Sequence, residues 1–152
     1  QTSTEEYIFR GYLMQGFAGL AKNKWFPLIM TSFIFGLMHI TNPEVSKMGY
    51  FILVYYIGTG FFLGIITLMD DGMELALGFH ASNNLVGALL VTSDFAVFKT
   101  YAIFKDNSIP TAGFESVVVP VFILFPILLF IFSKKYKWTH WNEKLTGKIV
   151  NN

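Results

Sequence analysis

The sequence contains no cysteine, which excludes disulfides and thiolate metal ligands but says nothing of compartment. It is also short of charge. Only 14% of its 152 residues are Asp, Glu, Lys or Arg, against roughly 25% in an ordinary soluble domain, too few to coat a surface facing water. The formal net charge is +1, and no lysine- or arginine-rich stripe is present, so nucleic acid is not an expected partner. Nor does any serine stand in an elbow or beside a plausible base, which removes the usual covalent hydrolases. What is plentiful is apolar: 53% of residues are hydrophobic, 18% aromatic, and the mean hydropathy is +0.51. This is the composition of a membrane protein. The chain opens on Gln1 rather than methionine, and the expectation is the C-terminal part of a longer protein, with earlier helices missing.

Four clear hydrophobic runs approach the roughly 20 residues that cross a bilayer: Trp25 to Thr41, Tyr50 to Met69, Met73 to Val91 and Ser116 to Phe132. Asn42-Pro43 and Asp70-Asp71-Gly72 punctuate them as turns. A fifth segment, Thr4 to Leu20, is compromised by its charges and needs partners to enter a membrane. Pro120 and Pro126 are tolerable in a membrane helix although each frees a carbonyl. The expected fold class is therefore all-α, a polytopic transmembrane helix bundle with about five membrane helices, and residues 1–152 form a single integral-membrane domain. If all five cross, Lys22, Lys24, Lys134, Lys135 and Lys137 fall on one side and Lys47, Lys99 and Lys105 on the other. That excess makes the first side cytoplasmic, with the C-terminus inside. Thr92 to Glu115 is too polar to cross. Phe95, Phe98, Tyr101 and Phe104 recur there at near-helical spacing, which predicts a short amphipathic helix along the interface.

An ionisable group inside a membrane segment costs about 2.5 to 3.5 kcal/mol on insertion scales, so the few present are informative. They are Glu5, Glu6 and Arg10 in the opening segment, His39 near the end of the next, and Glu74 and His80 further on, with Asn83 and Asn84 close behind. His140 falls in a polar tail and reads as a surface residue. Glu6 and Arg10 stand four apart and can pair on one helix face. Glu5, rotated by about 100° from Glu6, cannot share that geometry and is left available. His80 and Asn84 repeat the offset on another helix, and Phe35 and His39 on a third. Packed together, these helices would enclose a wet pocket holding a carboxylate, two imidazoles and a carboxamide.

That set suits hydrolysis. A buried carboxylate can take a proton from water, an imidazole can hold the water or pass the proton to a leaving amine, and a second imidazole with an amide NH2 can donate to an oxyanion. Singly, each element has an ordinary use. Glu6 and Arg10 form a common helix pair, and Ser3 with Glu6 fits a capping box. His39 can snorkel, and His80 with Asn84 can bridge helices. Glu74 suits the positive end of its helix, and Gly60 with Gly64, reading GxxxG, suits close helix packing. Their joint occurrence, ordered and on separate helices, favours a site. The other classes open at this point are a non-enzymatic immunity or scaffold protein that binds a peptide or partner in the same pocket, and a proton pathway. The second is disfavoured because the polar residues cluster rather than form a track.

Three motifs carry a resemblance. Glu5-Glu6-Tyr-Ile-Phe-Arg10 matches EExxxR, Phe35-Gly-Leu-Met-His39 matches FxxxH, and His80-Ala-Ser-Asn-Asn84 matches HxxxN. In this order the sequence resembles the CPBP intramembrane proteases, the CAAX protease and bacteriocin-processing or Abi family. The resemblance implies that Glu5 activates water together with His39, that His80 and Asn84 form the oxyanion hole, and that Glu6, Arg10 and Phe35 organise the site. It further implies a membrane-associated peptide substrate, of prenylated CAAX type or a bacteriocin or leader peptide, and residence in a bacterial cytoplasmic membrane in contact with the lipid bilayer. The family was first described as metal-dependent. Glu5, His39 and His80 would be the ligands if zinc were bound, with water in the fourth position. The absence of HExxH and the sufficiency of glutamate as base favour a mechanism with no cofactor.

Overall fold

Apolar segments without partner strands can satisfy their amides only within themselves. The computed structural model, which describes residues 1–149, is accordingly helical nearly throughout. The opening segment is one rod in three registers: α1 (Thr2–Glu6), a π-helical stretch (Tyr7–Leu13) and α2 (Met14–Ala21). Ser3 lies within α1, whose N-cap is Gln1 and has no side-chain capping bond, so the expected capping box is not formed. Lys22, in the left-handed conformation, ends the rod. Next come α3 (Trp25–Met38), a 3-10 turn (His39–Thr41) and α4 (Pro43–Met48), with Pro43 in the first turn, where its missing N–H costs nothing. A second 3-10 turn (Tyr50–Ile52) feeds α5 (Leu53–Asp70), which stops at Asp71, also left-handed.

The chain returns in α6 (Glu74–Leu90), with Glu74 in the first turn where the helix dipole favours a carboxylate. A later rod is built from α7 (Phe114–Val119), a π-helical stretch (Pro120–Leu124) and α8 (Phe125–Tyr136). Pro120 opens the π stretch, as expected of a residue that cannot donate to the α register. The short α9 (Trp141–Thr146) then folds back against the end of α5. Lys144 donates to the Met69 carbonyl and to Asp71, and the Trp138 indole donates to Asp70 at 3.1 Å. Asn23 forms a bridge with Lys148, so the Lys22 to Lys24 turn and the tail share one end of the molecule. His140 is exposed there.

Helix α5 is the hub. Phe62, Leu63, Ile66 and Met69 on it meet Ala76, Phe125 and Trp138 in the main core. Its glycines allow backbones to meet: a Cβ on Gly60 would lie 2.9 Å from both the Cα and the carbonyl oxygen of Ser32 on α3. The GxxxG spacing thus serves helix packing.

Among the described residues two helices, Tyr50–Asp70 and Phe114–Lys135, are long and apolar enough to cross a membrane, and Trp25–Thr41 is apolar but shorter. The expectation of five spans is met only to that extent. The other two helices are the ones that carry Glu5, Glu6 and Arg10, or His80, Asn83 and Asn84, and these residues lower their apolarity. On the later rod Phe122, Ile123, Ile127 and Phe130 are left uncovered, a face poorly suited to water.

The interface helix expected between Thr92 and Glu115 does not form. Instead β1 (Val91–Ser93) pairs in parallel with β2 (Phe104–Asp106), Val91 opposite Phe104, and the segments between and after them are turns and extended chain until α7. The aromatic spacing is outweighed by residues that favour turns over helix, among them Asp94, Asn107, Ser108, Pro110 and Gly113. Among the described residues the fold is helical with one small two-stranded ladder.

Gly60→Ala should lower stability by about 1–3 kcal/mol, because Ser32 backbone atoms occupy the new methyl's space. Gly78→Ala on α6, where nothing lies within 4 Å, should be neutral or stabilising by up to about 1 kcal/mol. Thermal unfolding of the two variants in detergent checks the ranking, and equal midpoints would contradict the packing described.

Candidate active site

A carboxylate in an apolar bundle must be compensated, and Glu6 meets this demand across three helices. Its side chain is fully buried. Its Oε1 accepts from Arg10 Nη1 at 3.0 Å and from His80 Nδ1 at 2.7 Å. Arg10 Nη2 donates in turn to the Gly60 carbonyl on α5 at 3.0 Å. The face of the guanidinium is covered by Phe35, whose ring centroid lies 4.7 Å from Cζ, a cation–π contact in a desolvated setting. Phe35 also meets Phe9 edge-on, and its ring lies 5.0 Å from that of His39 and 5.9 Å from that of His80. It is the wedge between the two imidazoles.

Glu5, the preceding residue, is turned to the same histidine from the other side. Its Oε2 lies 3.6 Å from His80 Nε2, and its Oε1 accepts from Gln1 Nε2 at 2.6 Å. The spacing pairs Glu6 with Arg10, and the structure adds His80, which stands between the two glutamates. The helix geometry that denies Glu5 the arginine still leaves both carboxylates within reach of a side chain projecting from α6, because an imidazole presents a nitrogen at each edge.

Carboxylate and carbonyl oxygens accept, so these partners set the tautomers. At His80 the nitrogen facing Glu6 carries a proton, and Nε2 faces Glu5. At His39 the ring Nδ1 donates to the Phe35 carbonyl at 2.8 Å, one of the carbonyls freed at the end of α3. Nε2 is again the nitrogen left for chemistry. The FxxxH spacing thus has a local cause: the imidazole satisfies the carbonyl four residues back. Tyr56 stacks on the His39 ring at 4.2 Å and fixes its plane.

These groups border one cavity of about 260 Å³. Glu5, His39, His80 and Asn84 line it together with Phe35, whereas Glu6 and Arg10 lie behind its wall. Asn84 follows His80 by one turn of α6, which puts both on one face. The lining also includes Gln1, Asn42, Glu44, Tyr55, Tyr56 and Thr59, none of which the sequence places in the site; Asn42 reads there only as a turn. Gln1 and Glu44 sit in short helical or turn segments with no local pattern. Tyr55, Tyr56 and Thr59 read only as parts of an apolar run, and their three- and four-residue offsets on α5 were the one signal available.

The chain matches the type II CAAX prenyl endopeptidase Rce1-like family over residues 1–86, which include every motif residue from Glu5 to Asn84. It belongs to that family. Among curated proteins it is similar to an uncharacterized protein, YyaK, of Bacillus subtilis strain 168, at 32% identity over 126 residues. The alignment covers 80% of this chain and 42% of that relative, so the chain spans less than half of the relative's length. No solved structure matches. The resemblance drawn from three short motifs is borne out at the level of the Rce1-like family.

Zinc would need Glu5, His39 and His80 as a converging set. Among the described residues no three His, Asp or Glu side chains form such a group, and both Nδ1 atoms are already engaged. Those hydrogen bonds leave Nε2 of each ring as the nitrogen available to a ligand or substrate, and the chemistry proposed for the site uses no metal.

Removing Arg10 strands the buried Glu6 charge. Arg10→Ala should destabilise the protein by about 3–5 kcal/mol, and pairing it with Glu6→Gln should cost clearly less than the sum of the single changes. Denaturant unfolding of the two single variants and the double variant measures this, and strict additivity would contradict the coupling.

Proposed function

We propose that this chain is the catalytic part of an intramembrane endopeptidase, which hydrolyses a peptide bond of a membrane-associated peptide with water as nucleophile. The reading rests on one observation above all: Glu5, His39, His80 and Asn84 border a single cavity, with His80 braced from behind by the buried Glu6 and Arg10.

Water lies between Glu5 and His39 Nε2. Glu5 takes its proton, and the hydroxide adds to the scissile carbonyl carbon. The oxyanion accepts hydrogen bonds from the Asn84 NH2 and from His80 Nε2–H, which is present when His80 is an imidazolium with its other N–H held by Glu6. The proton held by Glu5 then passes to the leaving nitrogen as the C–N bond breaks, leaving a carboxylic acid and an amine. Glu6 and Arg10 touch no substrate in this scheme and act by positioning His80.

The substrate is a prenylated CAAX-type protein or a bacteriocin or leader peptide, consistent with the name of the family. The enzyme resides in a bacterial cytoplasmic membrane. The tail and the Lys22 to Lys24 turn, which share one end, face the cytoplasm, in keeping with their lysines.

Glu5→Gln, His39→Ala and His80→Ala should each lower kcat on a membrane-anchored reporter peptide by about 10²-fold or more, with the folded protein retained in the membrane. Undiminished turnover in all three would end the catalytic reading.

A further inference from the structure

The catalytic cavity has a second carboxylate. Glu44, near the start of α4, lines it together with Glu5. Its Oε1 accepts from the Val97 backbone N–H at 2.8 Å, which holds the turn carrying Val97 and Phe98 against the same cavity. Its Oε2 is buried and has no hydrogen-bond donor among the described residues. Among the described residues no lysine or arginine lines the cavity, and the nearby cation, Arg10, is engaged by Glu6 and the Gly60 carbonyl behind the wall.

We infer that Glu44 is a specificity-determining residue for the proposed endopeptidase, selecting peptides that carry a lysine or arginine side chain close to the scissile bond. The inference rests on the peptidase reading for the bond that is cut, but the charge preference belongs to the cavity itself. A carboxylate oxygen without a donor in a partly desolvated site is unsatisfied, and an ammonium or guanidinium group satisfies it with a charge-assisted hydrogen bond. The same lining works against a free C-terminal carboxylate lodged in the cavity, because that group would join Glu5 and Glu44 with no cation to balance it.

The probes are membrane-anchored peptides of one sequence that carry lysine, norleucine or glutamate in turn at each position flanking the cleaved bond. Cleavage by the native protein and equilibrium binding to the Glu5→Gln protein are both measured, each with and without Glu44→Gln. Glutamine keeps an oxygen for the Val97 N–H while removing the charge. Lysine should be favoured over norleucine by about tenfold or more at one position, in kcat/KM and in binding, and glutamate should be disfavoured. Glu44→Gln should bring the lysine-to-norleucine ratio to within about twofold of one. A ratio near one at every position, or a lysine preference that survives Glu44→Gln, would overturn the inference. Lysine preference in binding with no cleavage of any peptide would leave the charge-selective cavity standing and remove the peptidase reading. Cleavage without charge preference would do the reverse.

Discussion

Glu6 is a charge that the bundle could not bury alone, and the site is built from what its burial requires. One oxygen accepts from both Arg10 and His80, and Arg10 reaches on to a backbone carbonyl of α5. The opening rod, α5 and α6 are thereby tied at one point, in surroundings where an unpaired charge is expensive. Gly60 contributes twice, since its lack of a side chain admits α3 while its carbonyl receives the guanidinium. The π-helical stretch containing Arg10 begins at the very next residue after Glu6, and such irregular turns are frequent at functional sites. The pairing is incomplete: Glu6 Oε2 and Arg10 Nε are buried without partners. A network left short in this way trades stability for the placement of the groups it holds.

The second consequence is control of two imidazoles by unlike means. His80 donates from Nδ1 to a buried carboxylate and His39 from Nδ1 to a main-chain carbonyl, yet each is left with Nε2 for chemistry. Phe35 separates the rings while shielding the arginine. Glu5 differs from Glu6 in position more than in kind: it borders the cavity, where Glu6 is sealed behind it. Adjacent glutamates thus reach opposite edges of one histidine, which is an economical way to give an imidazole both a fixed tautomer and a charged neighbour.

Much of this was legible in the sequence because it is local. EExxxR, FxxxH and HxxxN are all readable as one-turn offsets, and two of the three, Glu6 with Arg10 and Phe35 with His39, correspond to hydrogen bonds within a single rod or helix end. The stops at Asn42-Pro43 and Asp70-Asp71-Gly72 were readable for the same reason, as was the packing role of Gly60 and Gly64. What escaped depends on distant chain segments meeting. Nothing near Glu44 signals that Val97 will donate to it, and nothing near Glu6 signals that His80, 74 residues on, will share it. The π registers at Tyr7 and Pro120 were invisible to a reading based on 3.6 residues per turn. Between Thr92 and Glu115 the aromatic spacing misled because side-chain periodicity was counted without the turn-forming residues among them.

Glu6 fixes a proton on His80 Nδ1, and the rest of the site depends on that bond. With only three histidines in the chain, nitrogen-15 NMR of histidine-labelled protein in detergent can isolate His80 by comparison with His80→Ala. His80 should show a hydrogen-bonded Nδ1–H that is lost or moved to the other nitrogen when Glu6 becomes Ala, while His39 keeps its own. A His80 signal indifferent to Glu6→Ala would contradict it.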